Sequence, residues 1–186
     1  AEAAEAAVRG SIDALGGLDV VVNAAGVAGY ALLDDLDVEL WNRVIGTNLS
    51  GTFHVSRAAG LHMRSAGGGS IVNVASDLAS MGVAGLSHYC ASKAGVVGLT
   101  RALAVELAPT VRVNAVCPGP IDTPMLRAGL EEETDPQRAL REKESTVPLS
   151  RLADPAEVAA AIRFLAVEGT FATGASMAFD GGTSAA

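Results

Sequence analysis

Short, continuous apolar runs alternate along this chain with longer stretches in which apolar residues recur at helical spacing. The runs are LDVVVNA, SIVNVAS, VRVNAVCPG and ASMAFDGG. A continuous run, unlike strict alternation, is typical of a strand that is buried on both faces of a parallel sheet. The pattern therefore predicts a parallel sheet whose two faces are covered by helices.

The stretches between the runs predict helices with recognisable ends. They cover residues 1–17, 37–69, 86–109, 135–145 and 154–168. Gly16-Gly17 ends the first helix, Asp37 begins the second and Pro109 stops the third. Asp154 is placed to cap the last helix, with Pro155 at its first position. Because strands alternate with helices, we expect one α/β domain over residues 1–186, built on a doubly wound parallel sheet.

The segment from Ile121 to Arg151 is the least regular part of the chain. A long connection just past the end of a strand is often a lid over a substrate site. It can equally be a surface insertion that the fold tolerates. The sequence leaves both interpretations open.

Composition and charge narrow the class of protein. Hydrophobic residues make up 49% of the 186 residues and charged residues 18%, which is typical of a globular domain with a full core. A net charge of −8 disfavours nucleic acid as a partner. No apolar run reaches the length of a membrane span, and the acidic start does not resemble a signal peptide, so we expect a cytoplasmic protein. Cys90 and Cys117 match no zinc spacing and are expected to be reduced thiols, with no metal bound.

Tyr89 and Lys93 stand four residues apart in SHYCASKAG and so share one face of the third predicted helix. A free tyrosine, with a pKa of about 10, is a poor base at neutral pH, but a nearby cation stabilises the phenolate and lowers that pKa. Such a pair suits general acid/base chemistry on an alcohol or a carbonyl. The same spacing is also common on exposed helix surfaces, so spacing alone does not decide.

Three strand ends carry residues that should face one crevice, because ligands of an open α/β sheet gather at the carboxyl ends of the strands. They are Asn23 to Gly26, Ser76, and Pro118-Gly119. A serine hydroxyl in that crevice could polarise a substrate carbonyl. Each feature alone can be an ordinary turn, but their combination with Tyr89 favours an enzyme site.

These motifs resemble the short-chain dehydrogenases/reductases over nearly the whole chain. The resemblance rests on NAAG (23–26), NLSGTF (48–53), SIVNVAS (70–76), YCASK (89–93), PGPIDT (118–123) and FDGG (179–182). It implies a Rossmann-like fold and an NAD- or NADP-dependent oxidoreductase that interconverts a secondary alcohol and a ketone. A 3-oxoacyl thioester is one candidate substrate. The motifs do not distinguish NAD from NADP.

The resemblance also implies roles for matching residues. Tyr89 is expected to be the catalytic acid/base, and Lys93 to lower its pKa and bind the nicotinamide ribose. Ser76 is expected to hold the substrate oxygen, and Asn48 to hold a water in a relay to Lys93. The implied cofactor-binding residues are Asn23, Ala25, Gly26, Tyr89, Lys93, Pro118, Gly119, Ile121 and Thr123.

Two features depart from the family pattern. Ala24 stands where the family more often has a second asparagine, and no glycine-rich strand–turn–helix for the pyrophosphate precedes Asp19. We therefore expect the first strand to be an open apolar edge. If these residues were the whole working protein, we would expect weak or no binding of a dinucleotide.

The missing glycine turn keeps a rival interpretation open, a catalytically silent fragment or binding module of the same fold. Retention of Asn48, Ser76, Tyr89 and Lys93 favours the enzyme. The expected partners are a small-molecule alcohol or ketone and further copies of the chain. The long helices that carry Asn48 and Tyr89 would form a homotetramer or dimer.

Overall fold

The structure, a computed structural model, describes residues 1–131 and 133–185; Glu132 and Ala186 lie outside the described residues. The strands are β1 (Val20–Asn23), β2 (Gly69–Val74), β3 (Val111–Pro118) and β4 (Ser176–Phe179). The helices are α1 (Glu2–Leu15), α2 (Val38–Ile45), α3 (Thr52–Ala66), α4 (Ser87–Leu107), α5 (Pro124–Glu131), α6 (Pro136–Ser145) and α7 (Pro155–Arg163). π-helical segments at Gly46–Gly51 and Phe164–Glu168 join α2 to α3 and extend α7, and 3₁₀ turns lie at Asp77–Ala79 and Thr183–Ala185.

The helix ends follow the signals in the sequence. α1 stops at Gly16, whose φ of 74° is in the left-handed region that favours glycine. The Asp37 side chain accepts a hydrogen bond from the Leu40 amide at the start of α2. Asp154 and Glu157 form a reciprocal capping box at the start of α7, as the Asp-Pro start predicted.

The four strands form one parallel sheet in the order β1-β2-β3-β4 among the described residues. The register pairs Asn23 with Asn73, and Val74 with Val116, so the carboxyl ends of three strands lie side by side. The predicted parallel sheet is therefore confirmed. Its order places the residues that follow β1, β2 and β3 along one edge.

β1 departs from the prediction that its apolar run is buried on both faces. Val20 and Val22 are 38% and 42% exposed, whereas Ile71 and Val72 of β2 are fully buried. In the described part of the chain β1 is an edge strand, and the helical core covers only the face that carries Val21. The expected open apolar edge is confirmed.

Helices cover both faces of the central strands. On one face α1, α3 and α4 pack against β2 and β3 through a core that includes Met63, Ile71 and Val113. On the other face α7 and its π-helical extension pack through Leu165 against Val72 and Val116. Side chains that alternate along β2 thus enter opposite cores, which is the physical basis of a doubly wound sheet.

Arg112 on β3 ties the sheet to the end of the α7 helix. Its guanidinium donates to the carbonyls of Leu165 (2.8 Å), Ala166 (2.7 Å), Gly169 (3.0 Å) and Ala172 (3.2 Å). A helix end leaves its last carbonyls without partners within the helix, and it carries a partial negative charge. The Arg112 guanidinium supplies both hydrogen-bond donors for these carbonyls and a positive charge beside the negative helix end. It thereby holds the turn that leads into β4.

The segment 121–151 is more regular than the sequence suggested, since α5 precedes the expected α6. Its first residue, Ile121, forms a bridge with Ala153, two residues beyond the end of the segment. Ion pairs of Arg127 with Asp122 and of Arg138 with Glu142 stabilise its exposed helices. Residue 132, within this segment, lies outside the described residues.

In the described residues, each helix is too short or too polar to cross a membrane. Within the same ranges, no group of three or more His, Cys, Asp or Glu side chains has the arrangement of a metal site. Cys90 and Cys117 are free thiols.

Candidate active site

Ser76, Tyr89 and Lys93 meet at the carboxyl end of β2. Ser76 is 8% exposed and caps the 3₁₀ turn that follows the strand, where its hydroxyl accepts from the Leu78 amide. Tyr89 lies in the first turn of α4, and Lys93 one turn further along the same face. The Lys93 Nζ is 5.5 Å from the centre of the Tyr89 ring. The structure therefore brings together three of the four predicted catalytic side chains around one point.

Burial raises the pKa of Tyr89 above its ordinary value; the neighbouring Ser76 hydroxyl acts to lower it, and Asp77 and Cys90 raise it. The predicted lowering of this pKa by Lys93 stays a prediction. The ammonium group is directed at the Val74 carbonyl, 2.9 Å away, and desolvation of the phenol outweighs other effects. Tyr89 is therefore a protonated phenol at neutral pH and is ready to act as an acid.

Lys93 is 5% exposed, and burial lowers its pKa to about 8, with Cys117 acting in the opposite direction. An ammonium group has three N–H donors. Among the described residues, one of these donors is used, on Val74. Lys93 is thus a buried cation with donors left for the hydroxyl groups of a ligand.

Asn48 is 1% exposed and lies in the π-helical segment between α2 and α3, an irregularity that is frequent at functional sites. Its side chain accepts from the Val27 amide (2.8 Å) and donates to the Val27 carbonyl (3.0 Å) and the Ser92 hydroxyl (3.0 Å). Ser92 in turn donates to the Tyr89 carbonyl at 2.8 Å. The Asn48 side chain therefore holds the loop after β1 against the Tyr89 helix.

Ser76 makes a contact that the sequence did not predict. Its hydroxyl donates to the carboxylate of the next residue, Asp77, at 2.8 Å. The Ser76 oxygen can then accept a hydrogen bond from a substrate alcohol or from Tyr89. To polarise a ketone, as predicted, the Ser76 hydroxyl must first break its hydrogen bond to Asp77 and donate to the ketone oxygen instead.

The loop after β1 contributes Gly26 to the site but not the Asn23 side chain. The Asn23 amide donates to Ser56 (2.9 Å) and Asn73 (2.8 Å), so this side chain stabilises the interior and shapes the strand end. A Cβ atom at Gly26 would lie 3.6 Å from the Lys93 Nζ and 3.5 Å from the Asn48 Oδ1. The Gly26 backbone therefore borders the pocket around the lysine, and the neighbouring Ala25 is exposed beside it.

The residues after β3 form the other wall. A side chain at Gly119 would come within 2.8 Å of the Asp180 backbone, so the chain can pass here only as glycine. Pro118 is buried at the strand end, and Ile121 is held by its bridge to Ala153. The Thr123 hydroxyl accepts weakly, at 3.4 Å, from the Leu126 amide in the first turn of α5.

These residues suit a nicotinamide cofactor. The free donors of Lys93 match the paired hydroxyls of a ribose. Gly26 borders the lysine without a side chain, since a Cβ atom there would lie 3.6 Å from the Lys93 Nζ.

Two buried polar residues of the site were missed or underrated from the sequence. Asp77 is 7% exposed, and its only signal was its position directly after Ser76. His88, which could have been a chance neighbour of Tyr89, is fully buried, and its Nε2 donates to the Gly29 carbonyl at 2.8 Å. Only the folded chain shows that both are enclosed.

Comparison with known proteins agrees with this geometry. A family model described as "Enoyl-(Acyl carrier protein) reductase" matches residues 1–184. The chain is 47% identical over 173 residues to a cis-4-hydroxycyclohexanecarboxylate dehydrogenase of Sinomonas cyclohexanicum, covering 91% of this chain and 67% of that protein. It is 44% identical over 169 residues to a 3-oxoacyl-[acyl-carrier-protein] reductase of Thermotoga maritima, covering 90% and 66%. The chain thus spans about two thirds of the length of these relatives.

A solved structure has a similar fold. The protein ElxO, in a structure with NADP bound, superposes with a TM-score of 0.92 at 31% identity, over 100% of this chain and 75% of that one. Together with the sheet order and the site motifs, these matches show that this chain belongs to the short-chain dehydrogenase/reductase family of oxidoreductases.

Proposed function

We propose that this protein interconverts a secondary alcohol and a ketone with NAD or NADP, and that Tyr89 transfers the proton. The observation that carries the proposal is the meeting of Tyr89, Ser76 and the buried Lys93 at the carboxyl end of β2. General acid/base chemistry needs a titratable group beside the reacting oxygen, and a second group that holds this oxygen in place. Tyr89 and Ser76 supply the two.

In alcohol oxidation, the substrate hydroxyl donates to Tyr89 once its phenol is deprotonated, and Ser76 orients the same oxygen. In ketone reduction, the Tyr89 phenol donates its proton to the carbonyl oxygen. The cofactor, when bound, supplies or accepts the hydride at the substrate carbon. Lys93 would bind its ribose hydroxyls, and Gly26, Pro118 and Gly119 would border it.

Asn48 and Ser92 act as positioning residues in this proposal. They link the Val27 backbone to the Tyr89 backbone, so that the loop carrying Gly26 keeps its place relative to α4. The proposed water relay from Asn48 to Lys93 would use the space between these two side chains, which flank Gly26.

Two substrate classes follow from the relatives. One relative is named for oxidation of a ring alcohol and the other for reduction of a 3-oxoacyl thioester. Both reactions interconvert a secondary alcohol and a ketone. We propose ring alcohols and 3-oxoacyl thioesters as the first candidates for this chain.

The test is an assay that follows the absorbance of the reduced nicotinamide with a panel of ketones and alcohols, using each of NADH, NADPH and their oxidised forms. We expect turnover with at least one pair of coenzyme and substrate. Calorimetric titration of both coenzymes accompanies the assay. Failure to bind either coenzyme would support the rival interpretation, a silent fragment or binding module that is unable to hold a dinucleotide. Coenzyme binding without turnover across the panel would contradict the proposed activity.

We also propose that copies of the chain associate through α3 and α4. Both helices expose apolar side chains: Phe53 is 39%, Leu61 43% and Val105 82% exposed. The small residues of α4 allow close packing of helices.

Light scattering coupled to gel filtration should give the mass of a dimer or tetramer. Val105→Glu should shift this mass towards the monomer. A monomeric wild-type protein would contradict the proposal.

A further inference from the structure

Asp77 is a buried carboxylate that has no role in the proposed proton transfer. It is 7% exposed, although an aspartate is seldom enclosed unless it is paired. It is the residue directly after Ser76 and opens the 3₁₀ turn Asp77–Ala79. A carboxylate in this position has to be explained by what it binds.

Only one oxygen of the Asp77 carboxylate is engaged by the protein. Its Oδ1 accepts from the Ser76 hydroxyl and from the Leu78 amide, each at 2.8 Å. Among the described residues nothing donates to Oδ2, yet this atom is not sealed from solvent. The second oxygen is therefore an open acceptor at the edge of the site.

Groups of other elements influence the charge of Asp77. Burial chiefly raises the pKa of Asp77, the hydrogen bonds from Ser76 and Leu78 lower it, Lys143 of α6 also lowers it, and Asp180 after β4 raises it. The charge of Asp77 in turn reaches Tyr89 on α4 and Cys117 on β3. Asp77 thus lies beside Ser76 at the carboxyl end of β2, near the reacting phenol.

We propose that Asp77 contacts the substrate and selects vicinal diols and α-hydroxyketones, whose second hydroxyl donates to its free carboxylate oxygen. The proposal rests on the proposed function, because Ser76 is taken to hold the reacting oxygen. The Ser76 oxygen is 2.8 Å from the Asp77 Oδ1, and the free Oδ2 belongs to the same carboxylate. The two oxygens of a vicinal diol are also close neighbours, so one hydroxyl would contact Ser76 while the other donates to Oδ2.

A substrate without this second hydroxyl is disfavoured for a physical reason. A substrate that fills the crevice would exclude solvent from the Asp77 Oδ2. An apolar group in that place leaves a buried carboxylate oxygen without a partner, which is costly. Sites built to bond a substrate hydroxyl discriminate strongly against analogues that lack it.

The test compares trans-cyclohexane-1,2-diol with cyclohexanol, in the oxidation direction, for the wild-type protein, Asp77→Ala and Asp77→Asn. The readout is the ratio of kcat/KM for the diol to kcat/KM for the mono-alcohol, which cancels any general effect on Ser76. We expect the wild type to favour the diol and Asp77→Ala to lower the ratio by about 10- to 100-fold. Asp13→Asn, a change of an exposed acid on α1, should leave the ratio unchanged. An equal ratio in wild type and Asp77→Ala would overturn the proposal.

A failure of the proposed function is distinguishable from a failure of this inference. The proposed function fails only if the full panel of coenzymes and substrates gives no turnover. If the wild type oxidises neither of these two alcohols, the role of Asp77 is decided by binding. Saturation-transfer NMR with the same two alcohols should show the diol bound in preference by the wild type and not by Asp77→Ala. Equal signals in both proteins, or none for the diol, would overturn the inference.

Discussion

Tyr89→Phe is expected to abolish turnover while leaving the fold intact. The substitution removes only the phenol oxygen, which is the proposed proton donor and acceptor, and keeps the aromatic ring beside Lys93. Loss of a general acid/base typically costs about 10²- to 10⁴-fold in rate. The measurement is kcat/KM from nicotinamide absorbance, with circular dichroism to confirm folding.

The same residue sets the expected pH dependence. Burial chiefly raises the pKa of Tyr89, so the phenol form dominates at neutral pH. Ketone reduction, which uses the phenol, should hold its rate through neutral pH and fall only at high pH. Alcohol oxidation, which uses the phenolate, should rise as the pH increases. Opposite slopes for the two directions are the expected result.

Tyr30→Phe is the matched control, because the chain has just two tyrosines. Tyr30 is 70% exposed, and its ring lies over Gly85, where phenylalanine can replace it. This variant should keep the wild-type rate. A Tyr89→Phe protein that also kept the wild-type rate would remove Tyr89 from its proposed role.

Lys93→Met is expected to lower activity and to raise stability. The loss of the ribose-binding donors should lower kcat/KM by about 100-fold or more, since each tenfold loss corresponds to about 1.4 kcal/mol. The variant should nevertheless be more stable than the wild type at pH 7. Removing a desolvated cation of 5% exposure recovers a free energy of unfolding on the order of 1–3 kcal/mol, offset in part by the lost bond to Val74.

The sign of the pH dependence follows from the lowered pKa of Lys93. In the folded protein this pKa is about 8, whereas the unfolded chain has the ordinary value of 10.5. Between these values the unfolded state binds the extra proton, so the free energy of unfolding of the wild type rises with pH in that window and is level below it. The advantage of Lys93→Met should therefore shrink as the pH is raised from 8 towards 10.5.

Urea denaturation followed by circular dichroism at neutral and alkaline pH measures this difference. Lys143→Met is the control, because it makes the same substitution on the partly exposed helix α6. Its free energy of unfolding should change by no more than about 0.5 kcal/mol. If Lys93→Met were instead less stable than the wild type at pH 7, the hydrogen bond to Val74 would outweigh the burial of the charge.

Much of the fold was predictable because local pattern and tertiary structure agree. Continuous apolar runs marked all four strands, and Asp37, Asp154 and Gly16 marked helix ends through capping interactions that involve near neighbours only. The exposure of Val20 and Val22 was not predictable from the same pattern. An apolar run does not show whether a helix covers its second face.

Most residues of the site were predictable from the sequence, whereas their pKa shifts and burial were less so. Motif spacing placed Ser76, Tyr89 and Lys93 together, since strand ends converge and residues four apart share a helix face. The net direction of the Tyr89 pKa shift could not be inferred from the motif, because burial depends on elements that are distant in sequence. Asp77 was missed for the same reason, since an aspartate beside a serine in a turn is usually exposed.

The sequence by itself determined the order of strands and helices, their capping and the residues that gather at the crevice, because these depend on periodicity, short-range hydrogen bonds and chain direction. Only the tertiary structure decided which charges are desolvated, which oxygen of Asp77 is free and where the Ser76 proton points. These properties depend on packing between segments far apart in the chain, and desolvation there is large enough to outweigh the local effects that a motif can show.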